Sequence, residues 1–341
     1  MKMSKLGAGV IGLRMGRSHL EAYRAHPDVE VRAVCDLDEG RLREVAKTYG
    51  VPFATTDYRK LLERDDVDVV SVATPDHFHY EMASEALRKG KHVLCEKPMV
   101  TTVKEAEALV EEARRSGRKF MVGQVCRYAP GFRMAKHLIE RGEIGKLFFV
   151  ESEYAHDYSR VPGVGGWRKD PARPREPFLG GGCHPVDLLR WIAGDPYEVF
   201  AYANHKVLVD WPVDDCTIAI FKFPEDVLGK VLVSIGCKRP YTMRSVFWGD
   251  KGTIIADNTS PYIQIYREDF KVGQGGPEFA RIPVDTASHN VRKEVEELVG
   301  AILEDRPVET DVVEGAKTVV ACLAAVDSTR KGRPVRIEYR F

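Results

Sequence analysis

The stretch Leu6-Gly7-Ala8-Gly9-Val10-Ile11-Gly12 decides the fold of the chain, because it joins a short apolar run to a glycine-rich turn. Residues 6–11 predict a β-strand, and residues 18–26 have the spacing of a helix that Pro27 ends. Between them, the glycines follow the pattern G-x-G-x-x-G, which lets a backbone turn tightly and approach a bound pyrophosphate closely. The stretch therefore predicts the first strand and helix of a dinucleotide-binding sheet.

The next hundred residues alternate strand and helix patterns at short intervals. The predicted strands are 29–34, 67–73, 92–95 and 119–122, and the predicted helices are 41–49, 58–62, 79–89 and 102–116. Such alternation is typical of a parallel sheet with helices on both faces. We expect residues 1–122 to form an α/β Rossmann domain with a doubly wound parallel sheet.

The rhythm changes after Gly123. The predicted elements are helices at 130–141, 290–303 and 312–328, and strands at 146–153, 199–208, 217–223, 229–235, 244–248, 252–257 and 262–266. A proline-, glycine- and arginine-rich loop spans residues 159–182, and loops of this length are more often functional than idle. We expect residues 123–341 to form an α+β domain with a large, mostly antiparallel open sheet, which binds substrate and joins subunits.

Composition excludes several classes of function. The chain has 341 residues, with 51 basic and 51 acidic side chains, so we expect neither a nucleic-acid nor a membrane partner. No apolar run approaches the ~20 residues that span a bilayer, and the N-terminus lacks the apolar region of a signal peptide. The seven cysteines form no C-x-x-C pair, which favours reduced thiols and a cytoplasmic location.

The expected cofactor contacts begin at the glycines. We assign Gly7, Gly9, Ile11 and Gly12 to the pyrophosphate turn, and Asp36, which follows the second predicted strand, to the adenosine ribose. A carboxylate at that place repels a 2′-phosphate, so NAD is favoured over NADP. Arg41 lies nearby in sequence and could counter this charge.

Two further motifs follow strands of the predicted Rossmann sheet. They are Thr74-Pro75-Asp76-His77 and Cys95-Glu96-Lys97-Pro98. Together with the glycines, residues 123–128, Trp167-Arg168 and the block 180–191, these motifs make the chain resemble the Gfo/Idh/MocA family of sugar and cyclitol oxidoreductases. The resemblance extends over nearly the whole chain.

The resemblance implies hydride transfer between nicotinamide and a hydroxyl-bearing carbon of a sugar, sugar derivative or cyclitol. It implies that Lys97 is catalytic, with a commonly cis peptide before Pro98, and that His184 is its partner. Thr74, Pro75, His77, Glu96 and Lys97 are expected at the cofactor. The expected substrate contacts are Arg127, Tyr154, His156, Trp167, Arg168 and Asp187. Family members form dimers or tetramers, so we expect a homodimer or homotetramer.

One position departs from the family pattern. The family has an aspartate four residues before the histidine, whereas this chain has Gly180 four residues before His184. Tyr154, His156 and Asp157 are candidates to fill the gap, and the arginines of the loop could bind an acidic group or simply face solvent. No compact ligand spacing indicates a metal, and we expect none.

The departure leaves alternatives open. An enzyme that retains NAD could use transient oxidation to eliminate or cleave a glycosidic bond without net redox change. A regulator that binds NAD without catalysis could also use this fold, although Lys97 and His184 argue against it.

Overall fold

The computed structural model describes residues 5–269, 278–286 and 289–341, which form two compact units. The first unit contains the residues up to Val125, together with Asn290–Val319 and Arg340–Phe341. The second contains Cys126–His289 and Val320–Tyr339. Residues 1–4, on which the signal-peptide expectation partly depends, lie outside the described residues.

The first unit is built on six parallel strands. They are β1 (Leu6–Ile11), β2 (Val29–Cys35), β3 (Phe53–Thr55), β4 (Val69–Val72), β5 (His92–Cys95) and β6 (Phe120–Val122). Their spatial order is β3-β2-β1-β4-β5-β6, so the chain reverses direction across the sheet between β1 and β4. Ligands of doubly wound sheets bind at the carboxyl ends of the strands beside such a reversal.

Five helices connect these strands. They are α1 (Gly16–Ala25), α2 (Glu39–Tyr49), α3 (Tyr58–Leu62), α4 (His79–Arg88) and α5 (Val103–Ser116). Local sequence explains several of their ends. Asp38 caps α2, Thr102 and Glu105 form a capping box on α5, and Gly50 and Gly117 end these helices with positive φ.

Within the described residues, the second unit carries nine strands, three helices before them or between the first two, and the later part of a helix near the C-terminus. The helices are α6 (Pro130–Glu140), α7 (Pro177–Gly180) and α8 (Cys183–Ala193). The strands are β7 (Leu147–Ala155), β8 (Glu198–Asn204), β9 (Cys216–Lys222), β10 (Leu228–Ser234), β11 (Thr242–Gly249), β12 (Gly252–Asp257), β13 (Tyr262–Arg267), β14 (Ala280–Pro283) and β15 (Val335–Arg336). Two more helices, α9 (Val291–Leu303) and α10 (Val312–Lys331), precede β15.

The nine strands form one sheet in the order β14-β13-β12-β11-β7-β10-β9-β8-β15. Among the strands of the described ranges, only β7 and β10 pair in parallel, and the other neighbours are antiparallel. Helix α8 packs against β7 and β10. Along β9, Thr217, Ala219 and Phe221 are buried while Ile218 and Ile220 are exposed, as expected for a sheet covered on one face.

The predicted fold class is confirmed: a parallel Rossmann sheet is followed by a mostly antiparallel open sheet. Three short strands, β3, β14 and β15, were not predicted, because they contain only two to four residues and show no alternation. Strand β8 ends at Asn204, earlier than expected, because Asp215 accepts the backbone N–H groups of residues 206–208 and forms a turn there.

The C-terminal helices differ from the expected division at residue 122. Helix α9 and residues 312–319 of α10 are grouped with the first unit, where α9 packs against α1. Thr310 also bonds both backbone groups of Val122 at the end of β6. No helix among the described residues is long and apolar enough to cross a membrane.

Candidate active site

The glycine turn lies later in the chain than the sequence motif suggested. Gly7 and Gly9 are inside β1, where an added Cβ would lie 1.8 Å from Asp66 O and 2.8 Å from Leu61 Cδ2, respectively. These two glycines therefore permit close packing of the strand, and the assignment of both to the turn is corrected. The turn itself begins at Gly12, whose φ is +86° and whose added Cβ would lie 2.6 Å from Ala73 O.

The turn leads directly into helix α1. An added Cβ on Gly16, the first residue of α1, would lie 2.7 Å from Val10 Cγ1, so glycine lets the helix approach β1 closely. Met15, at the cap position, makes no side-chain hydrogen bond to the helix. Helix N-termini of this kind present backbone N–H groups to anions, so the turn from Gly12 to Gly16 fits a pyrophosphate. The spacing Gly12-x-x-x-Gly16 is the sequence signal of this turn.

Asp36 follows β2 and is fixed by several hydrogen bonds. Its carboxylate accepts from the backbone N–H of Leu13 at 2.8 Å and of Asp38 at 2.9 Å. The guanidinium of Arg41 lies 3.1 and 3.0 Å from its two oxygens and also bonds Asp38. The carboxylate is thus held against the glycine turn, and the expected proximity of Arg41 is real.

The loops after β4 and β5 are tied together by His79. Its ring nitrogens lie 2.9 Å from the carbonyl oxygens of Thr74 and Pro98, and the residue is buried. His77 lies between Thr74 and His79 in sequence, in a short 3-10 turn, and its ring is 4.1 Å from that of Phe78. His79 therefore has a structural role, and it holds Thr74 beside the Lys97–Pro98 peptide, which is cis.

Glu96 is the most constrained residue of the Glu-Lys-Pro motif. One carboxylate oxygen accepts from His19 Nε2 at 3.0 Å, and the other accepts from the backbone N–H of Lys97 at 3.1 Å. Burial opposes ionisation, but the hydrogen bond from His19 and the charges of His19 and Lys97 outweigh it and lower the pKa of Glu96 to about 2. Glu96 is therefore a buried carboxylate that holds the backbone of Lys97.

The network continues away from Lys97. His19 Nδ1 lies 3.1 Å from Ser71 Oγ, which is hydrogen-bonded to the Tyr23 hydroxyl at 3.1 Å. Helix α9 adds Glu294, a fully buried carboxyl whose two oxygens have no hydrogen-bond partner among the described residues. Burial and the charge of Glu96 raise the pKa of Glu294 well above its ordinary value, although the charge of Lys97 opposes this shift.

In the second unit, His184 lies in the first turn of α8 within a cluster of aromatic rings. Its ring stacks on that of Tyr154, with the centroids 6.2 Å apart. The Tyr154 hydroxyl is 2.9 Å from that of Tyr158 and 3.3 Å from His156 Nδ1, and the Tyr241 ring lies 5.4 Å from that of Tyr154. The structure therefore brings together three predicted residues, His184, Tyr154 and His156. Asp157 instead bonds Ser159 and Lys238.

Arg127 and Asp187 bind each other. The guanidinium donates to both carboxylate oxygens, at 2.8 and 2.6 Å, and each side chain is 2% exposed. Both were expected to contact substrate. Because each is buried against the other, their geometry is that of an ion pair that fixes the start of the second unit to α8.

Arg175 occupies the space beside Gly180. An added Cβ on Gly180 would lie 2.2 Å from Arg175 Nη1, and Arg175 Nη2 donates to the Gly180 carbonyl at 3.1 Å. Arg175 and Arg168 also lie over the ring of Trp167, at 5.2 and 5.3 Å from its centre. Where the resembled family has a carboxylate, this chain therefore has a guanidinium.

His184 and two neighbouring side chains have the spacing of metal ligands. Cys126 Sγ, His184 and His289 place their donor atoms within 4.8 Å of one another, and Cys126 Sγ is 3.4 Å from His184 Nδ1. No metal was expected, because the sequence shows no compact ligand spacing, and these three residues lie far apart in the chain. Thiolate and imidazole are ligands that zinc prefers, and three of them leave one position open.

Several residues of these clusters were not predicted, among them His19, Glu294, Cys126, His289 and Tyr241. Glu294 gave a readable signal, since it lies on the apolar stripe of α9 next to the buried Val295 and Leu298. His19 gave the same signal on α1, beside the buried Leu20.

Comparison with known proteins identifies the family of the chain. A family model described as an oxidoreductase family with an NAD-binding Rossmann fold covers residues 6–124, and the model of the GFO/IDH/MocA C-terminal domain covers residues 132–255. Myo-inositol 2-dehydrogenase of Thermotoga maritima is 27% identical over 97% of this chain and 98% of its own length. Levoglucosan dehydrogenase of Pseudarthrobacter phenanthrenivorans is 32% identical over 61% of this chain and 55% of its own.

A solved structure agrees over nearly the full length. The oxidoreductase domain protein from Kribbella flavida superposes with a TM-score of 0.89 and is 28% identical, covering 98% of this chain and all of its own.

Proposed function

Because the chain belongs to the Gfo/Idh/MocA family of NAD-binding oxidoreductases, we propose that it transfers a hydride between nicotinamide and a hydroxyl-bearing carbon of a sugar, sugar derivative or cyclitol. The observation that carries this proposal is the Glu96-Lys97-Pro98 motif at the end of β5. Its lysine is held by a buried carboxylate, in the same sheet as the uncapped glycine turn.

The cofactor contacts follow from the first unit. We assign the pyrophosphate to the turn from Gly12 to Gly16, beside Ile11, and the adenosine ribose to Asp36. Thr74, Pro75 and His77, with Glu96 and Lys97, are assigned to the nicotinamide end, because they follow β4 and β5 beside the reversal of strand order. Asp36 supports NAD over NADP, since its carboxylate disfavours a 2′-phosphate.

The acid and base of the reaction are assigned to Lys97 and His184. NAD, when bound, accepts the hydride in the oxidation direction. Lys97 Nζ takes the proton of the substrate hydroxyl, and Glu96 fixes the backbone from which this amine extends. His184, which stacks on Tyr154 in the second unit, is proposed as the second proton-transfer group.

The substrate contacts that we propose lie in the second unit, two of them in the aromatic cluster of His184 and two in the loop before α7. They are Tyr154, His156, Trp167 and Arg168, which offer hydroxyl, imidazole, indole and guanidinium groups. An aromatic face such as that of Trp167 suits the C–H face of a sugar ring. Arg127 and Asp187 form a buried ion pair in the same unit, and we propose that they stabilise it in place of the expected contact with substrate.

A substrate panel tests the proposal. Purified protein is given NAD or NADP with aldoses, sugar derivatives, anhydrosugars and cyclitols, and formation of reduced nicotinamide is followed by absorbance. We expect turnover by wild type with NAD and at least about a hundredfold loss in Lys97→Met, because a general base contributes at least this much. Normal turnover by Lys97→Met would remove the role given to this lysine.

A second candidate function follows from Gly180. The guanidinium of Arg175 replaces the family carboxylate, so the balance of acid and base differs from that of a simple dehydrogenase. We propose as the alternative an enzyme that retains NAD and uses transient oxidation to eliminate or cleave a glycosidic bond. Release of an aglycone from a glycoside without accumulation of reduced nicotinamide distinguishes it from the first proposal.

We also propose a cytoplasmic homo-oligomer. All seven cysteines are free thiols, as expected in a reducing compartment. The uncovered face of the nine-stranded sheet carries apolar side chains, which a second copy of the chain would cover.

A further inference from the structure

A buried polar layer lies beneath the Lys97 loop, and the reaction proposed above does not use it. It contains His19 and Tyr23 from α1, Ser71 from β4, and Glu294 from α9. We propose that His19 and Glu294 are positioning residues, which act on Lys97 through the position and charge of Glu96. This inference rests on the proposed function, in which Lys97 accepts the substrate proton.

The contacts of His19 form the first part of the argument. The residue is fully buried one turn inside α1, and its ring bridges Ser71 Oγ at 3.1 Å and Glu96 Oε1 at 3.0 Å. Glu96 has its second oxygen on the backbone N–H of Lys97. One ring therefore connects the helix that begins at the glycine turn with the backbone of the lysine. Movement of the ring would move the carboxylate and the lysine with it.

The surroundings of Glu294 form the second part. Its carboxyl group is fully buried and has no hydrogen-bond partner in the described ranges, which is rare for a buried polar group. The titratable groups that act on it or respond to it are Tyr23 on α1, and Glu96 and Lys97 after β5. Burial raises the pKa of Glu294 most, the charge of Glu96 adds to the rise, and the charge of Lys97 opposes it. The pKa is raised overall, so the group is neutral near neutral pH.

A neutral Glu294 matters for the lysine because electrostatic coupling is reciprocal. The positive charge of Lys97 favours ionisation of Glu294, so an ionised Glu294 would hold the proton on Lys97 in equal measure. While Glu294 keeps its proton, Glu96 is the one carboxylate of this pair that is charged. Burial of Glu294 thus limits the negative charge around Lys97.

The test measures Lys97 without any substrate. Lys97 is half-buried, so its reaction with an amine reagent can be followed by mass spectrometry across a range of pH in wild type, His19→Asn, His19→Gln and Glu294→Gln. Glu297→Gln is the matched control, since Glu297 lies on the same helix but pairs with Arg306. We expect Lys97 to become reactive at lower pH in His19→Asn. It should keep the wild-type pH dependence in Glu294→Gln, whose amide is as neutral as the protonated carboxyl group, and in Glu297→Gln.

His19→Gln is the rescue variant. A glutamine amide can reach Glu96 from the place of Nε2, whereas asparagine is too short, so we expect His19→Gln to resemble wild type. With a substrate in hand, His19→Asn should lower kcat about 10- to 100-fold with little change in KM, because a displaced base slows the chemical step. A merely structural role of His19 would not produce this split.

Infrared difference spectra test Glu294 directly. We expect the carbonyl band of a protonated carboxyl group in wild type and in Glu297→Gln, and its loss in Glu294→Gln. The proposal is overturned if the pH dependence of Lys97 labelling is the same in all variants, or if Glu294→Gln leaves the infrared band unchanged. Both results are independent of the substrate panel, so a failure there is separate from a failure here.

Discussion

At the scale of single residues, buried charge is distributed unevenly around Lys97. Glu96 and Glu294 are both carboxyl groups in the interior of the first unit, yet their pKa values move in opposite directions. The difference lies in the hydrogen bonds: Glu96 accepts two, and Glu294 accepts none from the described residues. Environment, rather than residue type, decides which of the two carries the charge.

This difference predicts how stability depends on pH. An unfolded glutamate has a pKa near 4.3, whereas the folded pKa of Glu294 is raised, so the folded protein binds the extra proton. Stability is therefore lost as pH rises from about 4.3 toward the folded pKa, by at most about 1.4 kcal/mol per pH unit. Glu294→Gln removes this dependence.

Thermal unfolding of wild type and Glu294→Gln between about pH 5 and 8 checks this prediction. The difference in Tm should change steadily in favour of the variant as pH rises, since the cost of a buried glutamine amide does not depend on pH. A difference in Tm that is the same at every pH would show that Glu294 is ionised in the folded protein.

The thiol of Cys126 and the imidazoles of His184 and His289 predict that the protein is sensitive to zinc. Because Cys126, His184 and His289 converge within 4.8 Å, we expect added Zn²⁺ to bind them and to block His184 reversibly, with recovery after chelation. Cys126→Ser and His289→Gln should be at least about tenfold less sensitive to Zn²⁺. Cobalt substitution gives a readout independent of activity, through a thiolate-to-cobalt absorption band.

Cys237→Ser serves as the control for zinc, since the Cys237 thiol donates to the Ser234 carbonyl and is not part of the cluster. It should keep both the inhibition and the cobalt band. Equal sensitivity of Cys126→Ser and wild type would show that zinc acts elsewhere.

At the scale of elements, the glycines of β1 permit close packing of the strand, whereas Gly12 and Gly16 lie in the proposed cofactor-binding turn. Gly9 faces Leu61 from within the strand, whereas Gly12 adopts a positive φ at the start of the turn. The two glycines belong to one sequence motif but serve different purposes.

Alanine substitutions distinguish these purposes. Gly12→Ala should weaken NAD binding and destabilise the protein by at least about 1–2 kcal/mol, because a side chain is strained at this φ and meets the Ala73 carbonyl. Gly9→Ala should cost about 1–3 kcal/mol through overpacking against Leu61, with the NAD Kd of the folded protein unchanged. Urea unfolding and NAD fluorescence titration measure the two effects. An unchanged Kd in Gly12→Ala would contradict the assignment of the turn.

At the scale of the whole molecule, one face of the large sheet carries exposed apolar side chains among ion-paired ones. Strand register places on this face Tyr202 opposite Ile218, and Leu228 and Trp248 each beside Phe149. Five of its side chains are 40–65% exposed: Tyr202, Ile218, Ile220, Leu228 and Trp248. Apolar side chains exposed on several neighbouring strands favour an interface with a second copy of the chain.

Oligomeric state is therefore a testable property of this face. Wild type should sediment as a homodimer or homotetramer, and Ile220→Lys should shift the equilibrium toward monomer, because a charge would be buried in the interface. Val209→Lys is the control, since Val209 is exposed in a turn outside the sheet. Sedimentation of wild type as a monomer at all concentrations would contradict the prediction.

Local pattern alone determined the fold class and the Lys97 motif, and it indicated a glycine turn after β1 although not all of its residues. Strand periodicity, glycine spacing and Pro98 act over a few neighbouring residues, so they can be read without knowing the packing. This is why most strands were anticipated, including the three-residue β6, whereas β3, β14 and β15 were not.

The tertiary structure decided the partners of the functional residues. His19 meets Glu96 across 77 positions of sequence, Arg127 meets Asp187 across 60, and Cys126 meets His184 across 58. Such pairs form only when helices and strands pack, and no local preference of the chain encodes them. For the same physical reason, the sequence indicated Gly7 and Gly9 as turn residues, and only the packing of β1 against Asp66 and Leu61 showed otherwise.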